Sequence, residues 1–123
     1  MKNGNSKGKQ KIIPVAYIRS LLVAQDGKCA ITGTKLNPND VNADHIIPGS
    51  RSELRPLFDE SNIWLVHKYI NSMKCTMTYD ELIEACHLIL KHEQETRVLL
   101  YRIQSRKISL ISKAEFEAWA AQN

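Results

Sequence analysis

Five side chains in the middle of the 123-residue chain have the types and spacing that hydrolytic chemistry needs. Asp44 and His45 are adjacent, Asn62 follows, Asn71 lies nine residues beyond it, and Lys74 is three further on. A neutral imidazole can take a proton from water near neutral pH, where its ordinary pKa falls. Carboxylate and carboxamide oxygens suit hard divalent cations such as Mg²⁺ or Mn²⁺. A cation held there would offset negative charge growing on a phosphoryl group and its leaving oxygen. Base plus oxygen-ligated cation is the equipment that phosphodiester hydrolysis requires.

The elements that must position these residues follow from patterning. Turn-rich segments punctuate residues 27–75: Cys29-Ala30-Ile31-Thr32-Gly33, Asn37-Pro38-Asn39-Asp40 and Pro48-Gly49-Ser50. Between them the pattern predicts strands at about 41–46 and 62–66, then a helix over about 67–74. On a regular strand Asp44 and His45 would point to opposite faces, so their joint use calls for a twist or bulge. Upstream, Pro14 opens a helix to about Ala24 with Val15, Ile18, Leu21 and Leu22 on one face. Downstream, Thr78-Tyr79-Asp80-Glu81 and Ser112-Lys113-Ala114-Glu115 are capping boxes that start helices. The polar run Glu93–Arg97 is expected to interrupt the apolar stripe between them, and Val98–Tyr101 to resume as helix.

Cys29-x-x-Thr32-Gly33, Asp44-His45-Ile46-Ile47-Pro48, Asn62-x8-Asn71 and Asn71-x-x-Lys74 together resemble the HNH endonucleases, the ββα-metal or His-Me finger family of phages and mobile elements. The likeness covers about residues 27–76. It implies an α+β, mostly helical fold: a ββα-metal hairpin-plus-helix core supported by N- and C-terminal helices. It implies DNA as the partner, and nicking to leave a 5′ phosphate. Carried over by position, His45 is the general base and Asn62 the brace of the catalytic loop. Asp44 and Asn71 hold one divalent cation, Mg²⁺ or Mn²⁺. Lys74 shares a helix face with Asn71 and reaches a phosphate oxygen. Lys68, Arg51 and Arg55 are candidate phosphate contacts, although solvated surface or pairing with Glu53 would account for them equally. His67 is a candidate additional contact, with a packed relic preferred.

One departure matters. Many relatives hold a structural zinc with two Cys-x-x-Cys pairs, and the corresponding positions here are Cys29, Thr32, His67 and Ile70. Two of the four cannot donate to tetrahedral zinc. No structural zinc is expected, and apolar packing of Ile70 under the C-terminal helices would replace it. The alternative function is a non-catalytic nucleic-acid-binding module that keeps the fold.

Composition bounds the rest. The chain is 43% hydrophobic and 24% charged, with a net charge of +4. Lys2, Lys7, Lys9 and Lys11 supply that whole excess. The expected organisation is a flexible basic arm over 1–11 and a single domain over 12–123, with its motif core at about 27–76 and helical support over 77–123. The arm would attract phosphate without specificity. Three irregularly spaced cysteines argue against a disulfide framework and for a reducing cytoplasm; the resemblance implies that of a bacterial or phage-infected host cell. No apolar run approaches the ~18 residues of a membrane span, so no membrane partner is expected. No reader motif is visible. Selectivity would then come from a homodimer mate or an accessory DNA-binding protein.

Overall fold

A computed structural model describes residues 12–123; the expected basic arm lies outside them. The described residues are α+β, with five α-helices and one two-stranded antiparallel sheet among them. In chain order these are α1 (Val15–Ala24), β1 (Val41–His45), β2 (Ile63–His67), α2 (Lys68–Lys74), α3 (Tyr79–Lys91), α4 (Glu93–Gln104) and α5 (Lys113–Gln122). The chain divides into two compact units, Met1–Ala85 and Cys86–Asn123.

In the first unit, α1 begins at Pro14, whose extended backbone suits the position before a helix. It ends where Asp26 and Gly27 take left-handed conformations, φ 53° and 67°. There the Gly27 N–H donates to Leu22 O at 2.8 Å and the Asp26 N–H to Val23 O at 3.0 Å, which satisfies two terminal carbonyls. Gln25 then ties α1 to the sheet. Its side chain accepts from the Leu65 N–H at 3.0 Å and donates to Leu65 O at 2.8 Å. Together with the Ala30 N–H donating to Leu65 O at 3.0 Å, it covers the outer edge of β2.

The strands pair in the register Val41↔His67, Ala43↔Leu65, Asp44↔Trp64 and His45↔Ile63. The buried centre consists of Cys29, Leu36, Leu65 and Val66. Ile18 and Leu21 of α1, Ile31, Val41, Trp64 and Ile70 pack against it. Ile70 therefore packs against the core, as do Ile18 and Leu21 from one face of α1.

Residues Glu93–Arg97 depart from expectation: they are the first turns of α4 rather than a break. Glu, Gln and Arg are good helix formers, and acidic residues favour a helix N-terminus. Both capping boxes form. Thr78 Oγ1 accepts from the Glu81 N–H at 3.1 Å, and Ser112 Oγ from the Glu115 N–H at 3.1 Å. No helix among the described residues is long and apolar enough to cross a membrane.

Candidate functional site

The Asp44-His45 pair ends β1, and the chain then loops through residues 46–62 before returning as β2. Asn62 closes that loop. It is 4% exposed. Its Oδ1 accepts from the Ile47 N–H at 2.8 Å, and its Nδ2 donates to Ile47 O at 2.9 Å and Leu57 O at 3.0 Å. Its backbone carbonyl accepts from the Ile46 N–H at 2.9 Å. One buried carboxamide thus satisfies backbone groups on both sides of the loop. The residues just after His45 are fixed as a result.

Asp44 is 7% exposed and sits on the same sheet face as Trp64, its directly opposed partner. The indole Nε1–H donates to Asp44 Oδ2 at 2.8 Å. The Lys74 ammonium lies 3.2 Å from the same oxygen and donates to the His45 carbonyl at 2.9 Å. Among the described residues, neither contact engages Oδ1. Lys74 is fully buried, and a buried ammonium requires compensation of this kind. Its expected reach to a substrate phosphate is thereby corrected: the side chain turns inward and ties helix α2 to both residues of the Asp-His pair.

That tie also orients α2. Asn71 precedes Lys74 by three residues and so lies on the same helix face, one turn back. Asn71 and His45 are both half-buried, so neither is sealed inside. The helix starts at once after β2 because His67 caps it. His67 Nδ1 accepts from the Tyr69 N–H at 3.2 Å, while Nε2 lies 3.8 Å from Asp40. Its imidazole is occupied in structure rather than facing a substrate. Lys68 pairs with Asp40 at 3.5 Å and rests 5.3 Å from the Tyr69 ring centroid.

Arg51 also turns to structure. Its guanidinium forms a two-pronged pair with Glu81, at 2.7 and 3.1 Å, and reaches Glu53 at 2.7 Å and Thr76 O at 3.1 Å. With those donors engaged, Arg51 anchors the loop after β1 to the start of α3 instead of offering itself to phosphate. The same pairing holds the Glu81 carboxyl down at about 2, because the guanidinium and the Thr78 N–H both favour its charged form. Arg55 is exposed, with a left-handed φ of 52°.

Cys29, Thr32, His67 and Ile70, the four positions compared above with a zinc-ligand pattern, come together in part. Burial pushes the Cys29 thiol up, but hydrogen bonds from Thr32, the His67 N–H and neighbouring amides outweigh it and lower its pKa. The His67 N–H approaches Cys29 Sγ at 3.4 Å, the Thr32 hydroxyl bonds to that of Thr34, and Ile70 packs into the core around Cys29.

No family model matches the chain, and no curated protein matches it.

Two participants escape a reading based on residue type. Trp64 looks like core alone, yet it is the hydrogen-bond donor that holds Asp44. A strand register placing Asp44 opposite Trp64 is the signal that finds it. Gln25 has no local signal at all, since its partner Leu65 is forty residues away.

Asp44 and Asn71 are the oxygen donors that would hold a divalent cation, and Mg²⁺ characteristically takes few protein ligands and keeps several waters. No cluster of three or more His, Cys, Asp or Glu exists among the described residues.

Proposed function

We propose that this chain is a metal-dependent endonuclease of HNH type that nicks DNA, with β1, β2 and α2 as its ββα-metal core. The observation that carries the reading is the buried Lys74 bridge. A single ammonium links the Asp44 carboxylate, the His45 carbonyl and the helix bearing Asn71. The Asn62 carboxamide closes the loop behind them. Sequence-distant residues are thus held around the end of one strand, as pre-organised catalysis demands.

In the proposed reaction, the His45 imidazole accepts a proton from water as the water oxygen bonds to phosphorus. The bond to the 3′ oxygen breaks, leaving a 5′ phosphate and a 3′ hydroxyl. Asp44, through Oδ1, and Asn71 are the residues that would hold the cation. When bound, that ion supplies charge compensation at the phosphate. Trp64 and Lys74 both engage Oδ2 and hold the carboxylate turned in a single direction. Lys68 and Arg55 remain the basic side chains near the motif with surface to offer a phosphate backbone.

A supercoiled-plasmid assay tests this reading directly. Nicked circles should accumulate with Mg²⁺ or Mn²⁺ and disappear with chelator. Salt-sensitive DNA binding without nicking under any divalent metal would instead establish the non-catalytic module.

A further inference from the structure

Residues 86–123 combine much exposed apolar surface with an absence of buried side chains in both of their helices. Helix α4 is twelve residues, ~18 Å long. An isolated helix of that length is marginal in water, so a covering surface is required. Thr96, Leu99, Leu100 and Ile103 recur at helical spacing and form one stripe. Leu99, Leu100 and Ile103 are 47%, 47% and 52% exposed.

The charges beside this stripe identify what covers it. Glu93 and Glu95 stand at the N-terminal end of α4 and Arg102 in its last turn, with Arg106 and Lys107 just beyond. Glu93 pairs with Arg97. Among the described residues, neither Arg102 nor Arg106 pairs with an acid. Glu95 and Arg102 are seven residues apart and therefore lie on the same flank of the stripe. In an antiparallel pair of identical helices, equivalent flanks meet. Glu95 of each copy then faces Arg102 of the other, twice, about a two-fold axis near Val98 and Leu99. The helix dipoles oppose favourably in that arrangement. A parallel pair would set opposite flanks together and lose this reciprocal Glu95–Arg102 contact.

We propose that α4 is a self-association helix, and that two copies of this chain pair antiparallel through Thr96, Leu99, Leu100 and Ile103. The proposal does not depend on the nuclease reading. Closed two-fold pairing of one self-complementary patch is the commonest way identical chains associate. Leu110, Ile111, Phe116 and Trp119, all more than half exposed, are further apolar surface of the same unit.

Sedimentation equilibrium of the full chain is the test. A dimer is expected, and Ile103→Glu should shift it to monomer. Glu95→Arg should weaken the dimer by roughly tenfold or more, since two attractive contacts become repulsive. Adding Arg102→Glu to Glu95→Arg should restore it. These two exposed changes keep the test valid if Ile103→Glu fails to fold. A monomeric wild-type chain overturns the proposal. So does a dimer indifferent to Glu95→Arg, or one that the double exchange leaves weakened.

Discussion

The two units of this chain handle apolar and polar side chains in opposite ways. Up to Ala85, buried apolar residues surround buried polar ones, and each buried polar group has a named partner: Asp44 with Trp64 and Lys74, Asn62 with Ile47 and Leu57. From Cys86 onward the helices carry large apolar residues that stay exposed, and their ion pairs lie on the surface. The first unit is over-determined around its polar motif, as a site that must hold geometry requires. The second is under-determined, as a surface awaiting a counterpart would be. The contrast shows that the apolar content of a helix does not reveal whether it supports a core or presents a face.

The largest effect tests whether the first unit's rigidity serves chemistry. His45→Ala should lower nicking by about 10²- to 10⁴-fold, the contribution typical of a general base, with the melting transition almost unmoved. Undiminished cleavage would remove His45 from the mechanism and leave the motif structural.

Lys74→Met should destabilise the fold by about 3–5 kcal/mol, because it strands a buried carboxylate. Chemical denaturation measures this. A variant as stable as wild type would show that Lys74 is not the internal tie described above.

Leu65→Ala and Val98→Ala set the two units side by side. Leu65 is 2% exposed, and its truncation should cost about 3 kcal/mol. Val98 is 54% exposed and lies off the proposed pairing stripe, so its truncation should stay within about 0.5 kcal/mol. Equal losses would erase the distinction between the units.

Cys75 offers a stabilising change. It ends α2 at φ 48° and ψ −118°, a conformation open to glycine and costly for a side chain. Cys75→Gly should raise stability by about 1 kcal/mol in a urea titration. A loss would mean that the thiol makes a compensating contact.

The smallest effect concerns the loop anchor. Hydrogen bonding to Arg51 lowers the Glu81 carboxyl from 4.5 to about 2 in the folded chain. A depressed folded value means that Glu81's contribution is complete above about pH 4.5 and declines as pH falls toward 2. Wild type and Glu81→Gln should therefore differ most near neutral pH and converge in acid, and salt should shrink the difference. A gap that widens on acidification would reverse the assignment.

Local features were legible in the residues themselves. Pro14, the Thr78 and Ser112 boxes and the strand–turn–strand pattern around Asp44 and Ile63 act over a few residues, so patterning finds them to within a position or two. His67 sits at the junction the pattern predicted, although its capping role was not visible. The Arg51–Glu53 pairing was among the readings the sequence offered, but the inward turn of Lys74 and the reach of Arg51 to Glu81 were not, for a shared reason: a basic side chain looks the same whether it will face solvent or a carboxylate. Only chain reversal brought Asp44 and Glu81 to them.

Taken alone, the amino-acid sequence determined which segments are helix or strand and which side chains carry proton-accepting or oxygen-donor groups, since these depend on near neighbours and on functional groups. The tertiary structure alone decided which cations turn inward, which indole steadies the carboxylate, and which apolar helices go uncovered. Those outcomes depend on residues twenty to forty positions apart meeting in space, and burial then sets whether each charge must be paired or left to water.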